Sequence, residues 1–267
     1  MATQWQTFPI EFRGGLISNL SPLQHGANAV GSATILQNFE ANKEGGYSKI
    51  RGYAKYSSTT VPGSGPILAL KVISSGRVVA ARKNGSNQTQ YYYSTGSSWT
   101  SMATSVGTNG GKARHVLYNL DGDDKVIFVD GTNYPAIYNT SGNSTTFMTS
   151  SNSTDVSGAE HVTIFKNTAF YAKGNNIYFT APFTVDDFSV ANGAGSINVA
   201  NDITGLAVFR DQLIIFTSDT IKRLTGSSSA DFTVSPITDR IGCINGDTIQ
   251  EVGGDIMYLA PDGIRLL

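Results

Sequence analysis

Residue types that often carry catalysis are scarce in this sequence and are not arranged in familiar patterns. The three histidines, His25, His115 and His161, form neither a His-x-His nor a His-Glu-x-x-His pair, so they do not predict a metal site. The single cysteine, Cys243, excludes an internal disulfide, and its apolar neighbours predict a small buried thiol rather than a nucleophile. These residues therefore predict no catalytic group, no metal and no cofactor.

Two of the histidines stand in similar local contexts, Ala-Arg-His-Val at His115 and Ala-Glu-His-Val at His161. One interpretation is a strand position that accepts a polar ring. The other is a titrating pair that lines a central channel, since the unperturbed pKa of histidine lies close to physiological pH. We favour the first, because histidine acts as a switch only where the geometry allows it.

Two acidic stretches resemble parts of known sites but lack the partners that those sites need. Asp121–Asp124 does not have the glycine and glutamate spacing of a calcium-binding loop, and we expect a hairpin turn there, between Leu117 and Val126. Asp186 and Asp187 would point to opposite faces of a strand, so their carboxylates would not converge on one glycosidic bond. Neither stretch predicts an active site.

Composition favours an all-β protein. Of the 267 residues, 40% are hydrophobic and only 15% are charged, and much of the polarity comes from Ser, Thr, Asn and Gly, which favour turns and strand rims. The net charge of −1 gives no basic excess of the kind that specific DNA binders and anionic-membrane binders show. No apolar run is long enough to span a membrane and no secretory leader pattern is present, so we expect synthesis in a cytoplasm.

A unit of three strands recurs from Ile67 onward. Each unit has an apolar strand, a turn, a second strand that is more continuously apolar, and a third strand rich in Ile and Tyr. The centres of the second strands, at Val79, Ile127, Phe170, Ile215 and Met257, are separated by 48, 43, 45 and 42 residues. A period of about 40–50 residues is typical of β-propeller blades. The sequence therefore predicts an all-β fold with a β-propeller-like body of about five repeated antiparallel blades.

The second strands are predicted to form the core of the body. Continuous apolar runs such as Val-Ile-Phe-Val and Leu-Ile-Ile-Phe indicate strands that are covered on both faces by neighbouring sheets. We therefore expect Ile127, Phe170, Ile215 and Met257 to be buried. Two further segments, Phe183–Phe188 and Asp231–Val234, are predicted as outer strands or as connections between blades.

The first 60 residues stand outside the repeat and are predicted to form an N-terminal arm with a hairpin, followed by the body at 61–267. Within the arm, Ala27–Gln37 has the one plausible helical pattern, although a strand from Ser32 is also possible. Val61–Pro66 predicts a linker, because Pro and Gly disfavour regular structure. The apolar C-terminal strand predicts either that the arm supplies a missing strand or that the last blade is incomplete within a longer protein; we favour the second.

The N-terminal arm also contains short motifs in a fixed order. They are Phe12-Arg13-Gly14-Gly15-Leu16, Leu20-Ser21-Pro22, Leu36-Gln37-Asn38-Phe39-Glu40, Gly45-Gly46-Tyr47 and Ile50-Arg51-Gly52-Tyr53. The paired glycines Gly45-Gly46 allow positive φ and predict a tight hairpin corner. Over about Phe12 to Tyr56, with a second patch from Asp239 to Ile264, these motifs resemble the tail nozzle and DNA-stabilisation proteins of short-tailed bacteriophages.

The resemblance implies a structural, non-enzymatic subunit of a phage virion. A ring of roughly six copies would extend the DNA channel below the portal and adaptor, retain the genome and later pass it without sequence-specific binding. It also implies tail fibre or spike proteins as partners. Because glycines permit close approach and exposed aromatic rings such as Tyr47 supply contact area, the candidate assembly contacts are Phe12, Arg13, Gly14, Gly15, Gly45, Gly46, Tyr47 and Tyr53.

Two other functions stay open on the sequence alone. A propeller glycosidase or lyase that degrades host surface polysaccharide would need convergent Asp, Glu or Tyr side chains, and the sequence shows no such set. A non-catalytic carbohydrate- or protein-binding propeller is suggested only by the tyrosine-rich segment Tyr91–Tyr93.

Overall fold

Strands make up nearly all of the regular structure in this chain. The computed structural model describes residues 12, 14–19, 21, 24, 31–42, 46–73, 76–102, 107–120 and 122–267. The chain divides into two compact units, Met1–Lys55 and Tyr56–Leu267. No helix in the described ranges has the length and apolar character needed to cross a bilayer.

The first unit contains the predicted hairpin. Strand β1 (Phe39–Ala41) pairs antiparallel with β2 (Tyr47–Lys49), and Gly46 in the connecting turn has a φ of 81°. The predicted helix at Ala27–Gln37 is wrong over residues 31–37, which are not helical; residues 27–30 lie outside the described residues. Instead, Ala33 forms a parallel bridge with Leu16. The many Ser, Thr and Asn residues nearby explain this outcome, because such side chains compete with helical hydrogen bonds.

The second unit is built of antiparallel sheets, each with its strands in chain order. The first sheet comprises β3 (Ile67–Val72), β4 (Val78–Lys83), β5 (Thr89–Ser94) and β6 (Trp99–Ser101). The second comprises β7 (Arg114–Leu120), β8 (Asp123–Val129), β9 (Ala136–Asn139) and β10 (Ser144–Phe147). The third comprises β11 (His161–Phe165), β12 (Thr168–Lys173), β13 (Asn176–Phe179) and β14 (Gly195–Asn198). The fourth comprises β15 (Ile203–Phe209), β16 (Gln212–Thr217), β17 (Ile221–Thr225) and β18 (Thr233–Thr238), and the fifth β19 (Gln250–Val252), β20 (Asp255–Ala260) and β21 (Gly263–Leu266).

The sheets stack face to face, and the second strands of the first four sheets contribute side chains to the packed layers on both of their sides. Ile127 and Val129 of β8 pack with Ala169 and Tyr171 of β12 between the second and third sheets. The alternate residue Phe170 of β12 lies in the next layer, against the fourth sheet. Because side chains alternate across a strand, a strand with both faces covered must be apolar throughout. The prediction of repeated antiparallel blades in an all-β, propeller-like body is therefore confirmed.

Three of the four predicted core residues are fully buried. Ile127, Phe170 and Ile215 have no exposed surface, but Met257 is only partly buried, so that prediction is wrong. The layer between the fourth and fifth sheets contains Ile256 and Tyr258, which are the neighbours of Met257 on β20. Met257 therefore points to the other face of the fifth sheet, where Ile264 and Leu266 are also exposed.

The spacing in the sequence aligns Ile215 with Ile127 and Phe170, but the structurally equivalent residue of β16 is Ile214, one position earlier. Ile127 and Phe170 face the following sheet, whereas Ile215 faces the preceding one and Ile214 faces forward. A run of four apolar residues does not distinguish these alternatives, since a shift of one residue reverses the face.

The outer strands were predicted only in part. Asp231–Val234 overlaps β18, but Phe183–Phe188 forms turns rather than a strand, and β14 was not predicted. Phe183 has a φ of 60°, which is incompatible with a strand. The segment instead supports the core from outside, where the Val185 carbonyl accepts a hydrogen bond of 2.6 Å from the buried Tyr171 hydroxyl.

The hairpin predicted at the acidic stretch is present. Strands β7 and β8 pair so that Leu117 lies opposite Val126, and Gly122 in the turn has a φ of 83°. Asp124 accepts a hydrogen bond of 2.7 Å from the Asn119 side chain. Asp121 lies outside the described residues.

Residues 56–66 pack against the first sheet rather than forming a free linker. The Tyr56 hydroxyl donates hydrogen bonds of 2.9 Å to the carbonyls of Gly76 and Ser94. Arg82 donates to the carbonyls of Val61 and Gly65. These contacts explain why the boundary between the two units falls between Lys55 and Tyr56, a few residues before the predicted start of the body.

Candidate functional site

The structure brings two parts of the arm together, because the segment from Phe12 to Gly15 lies against Gly46 and Tyr47. Gly14 approaches Ser32 so closely that an added Cβ would lie 2.7 Å from the Ser32 backbone nitrogen. Gly15 has a φ of 78°, and its side-chain position faces the Tyr47 hydroxyl at 3.8 Å. Gly46 faces the Phe12 carbonyl at the same distance. Arg13 and Gly45, the other two residues predicted here, lie outside the described residues.

The two predicted tyrosines differ in exposure. Tyr47 is half-buried, so the expectation of an exposed ring is wrong. Its hydroxyl lies over Gly15. Tyr53, by contrast, is 97% exposed. Of the two rings, Tyr53 is therefore the one available to another molecule.

An open apolar groove runs along the same corner. It has a volume of about 600 Å³ and is lined mainly by Phe12, Ile35, Leu36, Phe39 and Tyr47. Phe12, Ile35 and Phe39 are each more than half exposed. An exposed apolar patch of this kind is typical of an interaction site rather than of a small monomer's surface. We call the groove with Tyr53 the N-terminal corner.

A second group of polar residues lies where the first strands of successive sheets meet. Strand β11 lies beside both β7 and β15, so the first strands of these sheets converge on the axis of the propeller-like body. At one end of this axis Arg114, the first residue of β7, places Nε 3.1 Å from Oδ1 of Asp247. Lys112 Nζ lies 3.0 Å from Oδ2 of the same carboxylate. We call Lys112, Arg114, His161 and Asp247 the axial cluster.

Asp247 is held in place by a short 3-10 turn, Gly246–Thr248, which precedes the fifth sheet. The Asn245 side chain accepts a hydrogen bond of 3.0 Å from the Asp247 backbone N–H. Gly246 packs against the Thr204 carbonyl, where a Cβ would clash. The turn is therefore fixed against β15, and this position brings the Asp247 carboxylate to Arg114.

The axial cluster has an asymmetric electrostatic environment. Burial alone raises the pKa of Asp247, but the hydrogen bond from Lys112 and the charge of Arg114 outweigh it, so the net pKa lies below the usual value. The pKa of His161 is lowered to about 4, mainly by burial and also by the Arg114 charge, while Asp247 opposes the shift. At neutral pH the cluster thus holds a neutral imidazole beside two cations and one carboxylate.

The two histidines do not form the titrating pair considered from sequence. His115 lies against Phe128, with ring centroids 5.8 Å apart, in the layer between the first and second sheets. His161 lies opposite Ala172, which belongs to the layer between the third and fourth sheets. Burial and Lys71 lower the pKa of His115. The rings therefore respond to different neighbours.

The residues that suggested a carbohydrate site or a glycosidase have structural roles. Tyr91 and Tyr92 are buried in the first sheet, and Tyr93 packs at 6.4 Å from the Tyr138 ring. Asp187 accepts hydrogen bonds from the Ser189 N–H and the Asn192 side chain, which hold a loop.

Cys243 is buried, as its neighbours predicted. Among the described residues, no three His, Cys, Asp or Glu side chains are grouped as metal ligands would be.

Comparison with known proteins gives the fold but no family. The sequence matches no protein-family model and no curated protein. Among solved structures, the extracellular domain of the hybrid two-component system BT4673 from B. thetaiotaomicron is similar at a TM-score of 0.51 and 13% identity, covering 76% of this chain and 28% of that one. The corresponding domain of BT3049 from the same organism gives 0.49 and 13%, covering 81% and 30%. BamB from Moraxella catarrhalis gives 0.44 and 10%, covering 81% and 62%.

These similarities concern architecture alone. At such low identity the shared feature is a propeller-like stack of antiparallel sheets, and a shared fold does not imply a shared function. This chain spans about a third of the length of the two extracellular domains.

Proposed function

We propose that this chain is a structural, non-enzymatic subunit of a short phage tail, which assembles into a ring through its N-terminal corner. The ring extends the DNA channel below the portal and adaptor, retains the packaged genome and passes it at ejection. Tail fibre or spike proteins are further partners, and the location is the virion.

The observation that carries this proposal is the N-terminal corner itself. It belongs to a unit that is separate from the propeller-like body. Several of its motif residues line one apolar groove, and Tyr53 of the same unit is almost fully exposed. These are also the residues on which the resemblance to tail nozzle proteins depends. Packing of the body does not account for them, whereas a protein contact does, because large exposed aromatic rings are enriched in interfaces.

The axial cluster constrains where DNA would pass. The Arg114–Asp247 contact of 3.1 Å spans from the second sheet to the entry of the fifth. This obstructs the axis of the body for a duplex, whose major groove alone is about 12 Å wide. In the proposed assembly the channel therefore lies between subunits and not through the centre of one propeller. The net charge of −1 suits a surface that DNA slides past without binding.

The enzymatic alternative lacks a specific observation in its favour. Asp247 is engaged by Lys112 and Arg114, and Asp187 is engaged within its own loop. A binding propeller without catalysis would be monomeric or would use the body rather than the corner.

Mass photometry over a concentration series tests the proposal. We expect wild-type protein to form a ring of uniform mass. Replacing Tyr53 with Ala should leave the monomer folded and raise the concentration needed for the ring about ten-fold, as expected for loss of one aromatic contact. Phe183→Ala is the matched control, because Phe183 is an exposed aromatic residue of the body.

Two results would contradict the proposal. Wild-type protein that stays monomeric at every concentration would favour the binding or enzymatic alternatives. A ring that forms equally well in wild type and Tyr53→Ala, or that Phe183→Ala disrupts to the same extent, would remove the N-terminal corner from the interface.

A further inference from the structure

The fifth sheet has less support than the sheets before it. One of its faces packs in the layer with Phe216 and Ile214 of the fourth sheet. The other face, with Ile264 and Leu266, is exposed. Arg210 of the fourth sheet also reaches the turn before β20. Its guanidinium donates a hydrogen bond of 2.9 Å to the Gly254 carbonyl and one of 3.0 Å to the Asp255 carboxylate.

A chain of contacts connects the axial cluster to this sheet. Asp247 lies in the 3-10 turn, and Thr248 in the same turn accepts a hydrogen bond of 3.1 Å from the Leu259 N–H of β20. The Ile244 N–H before the turn donates to the Leu259 carbonyl at 3.0 Å. The turn is thus bonded to the middle of β20 on one side, while its carboxylate is bonded to Lys112 and Arg114 of the second sheet on the other.

The second-sheet partner is itself fixed. Besides its contacts with Asp247, Arg114 donates a hydrogen bond of 3.2 Å to the Glu160 carbonyl at the start of the third sheet. The guanidinium therefore has little freedom to follow a moving carboxylate. Asp247 and Arg114 are both partly buried, so their attraction is screened by salt less than that of a fully exposed pair but is still sensitive to it.

We propose that Asp247 is an ionic latch that joins the fifth sheet to the second across the axis of the body. When the latch is closed, the 3-10 turn holds β20 in its stacked position. When it is open, the fifth sheet keeps its apolar layer, the contact of Gly246 with Thr204 and the hydrogen bonds from Arg210, but it loses its ionic connection to the second sheet. This inference concerns the body alone and is independent of the proposed ring.

Hydrogen exchange with peptide resolution tests the latch in the full-length chain. Asp247→Asn removes the charge while keeping the shape of the side chain. We expect amides of β19–β21 to exchange about two- to five-fold faster, in line with the strength of a partly screened ion pair. Amides of β12 in the third sheet should not change. Arg114→Gln should give the same pattern at a smaller amplitude, because Lys112 still pairs with Asp247. The double variant should add little to Asp247→Asn, because the Arg114 contact is already lost in that variant.

Asp262→Asn provides the matched control. It breaks the pair of Asp262 with Arg265, which lies in the same sheet but within a single hairpin. This variant should leave exchange in β19 unchanged. Raising the salt concentration should accelerate exchange of the fifth sheet in wild type and have little effect in Asp247→Asn.

Three outcomes would overturn the latch. They are unchanged exchange of β19–β21 in Asp247→Asn, equal acceleration of β12, which would mean a global loss of stability, and the same acceleration in Asp262→Asn.

Discussion

Ile215 and Met257 lie at the centres of corresponding strands, β16 and β20. Only β16 has a packed sheet on each of its two faces. Ile215 is fully buried between the third and fourth sheets, whereas Met257 faces outward from the fifth. We expect Ile215→Ala to lower the free energy of unfolding by about 2–5 kcal/mol, because it leaves a cavity in a rigid layer. Met257→Ala should cost about 1 kcal/mol or less, since less apolar area is withdrawn from water.

Urea denaturation followed by tryptophan fluorescence measures both changes. Equal losses in the two variants would mean that the outer face of the fifth sheet is covered in solution. An unchanged midpoint in Ile215→Ala would place that side chain at the surface.

His161 should make the protein sensitive to mild acid. Its pKa in the folded state is about 4, below the unfolded value of about 6.5. Between these two values the unfolded chain binds a proton that the folded chain does not. Stability is therefore complete above about pH 6.5 and falls as the pH drops toward 4, by on the order of 3 kcal/mol in total.

Thermal melts of His161→Gln between pH 7 and 4 check this expectation. The variant should lose less stability over this range than wild type does. His115→Gln is the comparison, because the His115 ring is only half-buried. If His161→Gln and wild type lose stability in parallel, the acid sensitivity arises elsewhere.

At the scale of elements, the turn before the fifth sheet depends on a close backbone contact. A Cβ at Gly246 would clash with the Thr204 carbonyl of β15, whereas a Cβ at Gly85 would meet nothing within 4 Å. We expect Gly246→Ala to destabilise the protein by about 1–3 kcal/mol, because the turn must shift away from the fourth sheet. Gly85→Ala should be nearly neutral. Equal unfolding midpoints for the two variants in urea would show that the turn adapts without cost.

The sequence predicts those elements whose burial makes them continuously apolar. The second strands of the first four sheets satisfy this condition, because they are covered on both faces, and the spacing of all five second strands reveals the repeat. The fourth strands do not: β10 reads Ser-Thr-Thr-Phe and β14 reads Gly-Ser-Ile-Asn, and both lie at the rim with one polar face. Such short polar strands have no periodic signal that distinguishes them from loops.

The candidate sites divide in the same way. Gly14, Gly15, Gly46 and Tyr47 could be proposed as assembly contacts from the sequence because short local motifs contain them. The axial cluster could not be proposed from the sequence, because Arg114 and Asp247 are 133 residues apart and meet only through the stacking of sheets. No local pattern marks either residue, and an ion pair at this separation becomes visible only once the fold is known.

For the molecule as a whole, the boundary at Lys55 separates the proposed assembly element from the body. A variant that begins at Tyr56 should therefore fold and melt at nearly the temperature of the full chain, because the Tyr56 hydroxyl and Val61 still pack on the first sheet. It should not form the ring.

Calorimetry and mass photometry on this shortened variant separate the two claims. A folded variant that still forms rings would place the interface in the body. A variant that fails to fold would mean that the first unit is required for the stability of the second.

The chain-order pairing of strands within every sheet also bears on how the protein reaches its native state. Each sheet is a meander whose hydrogen bonds join strands adjacent in the chain, so it can be completed from a stretch of about 40–50 residues. Local pairing of this kind lowers contact order and favours rapid folding for an all-β chain. During synthesis each sheet can form soon after it leaves the ribosome and dock on the one before it. The Arg114–Asp247 contact, which joins the second sheet to the turn before the fifth, must then be among the last to form.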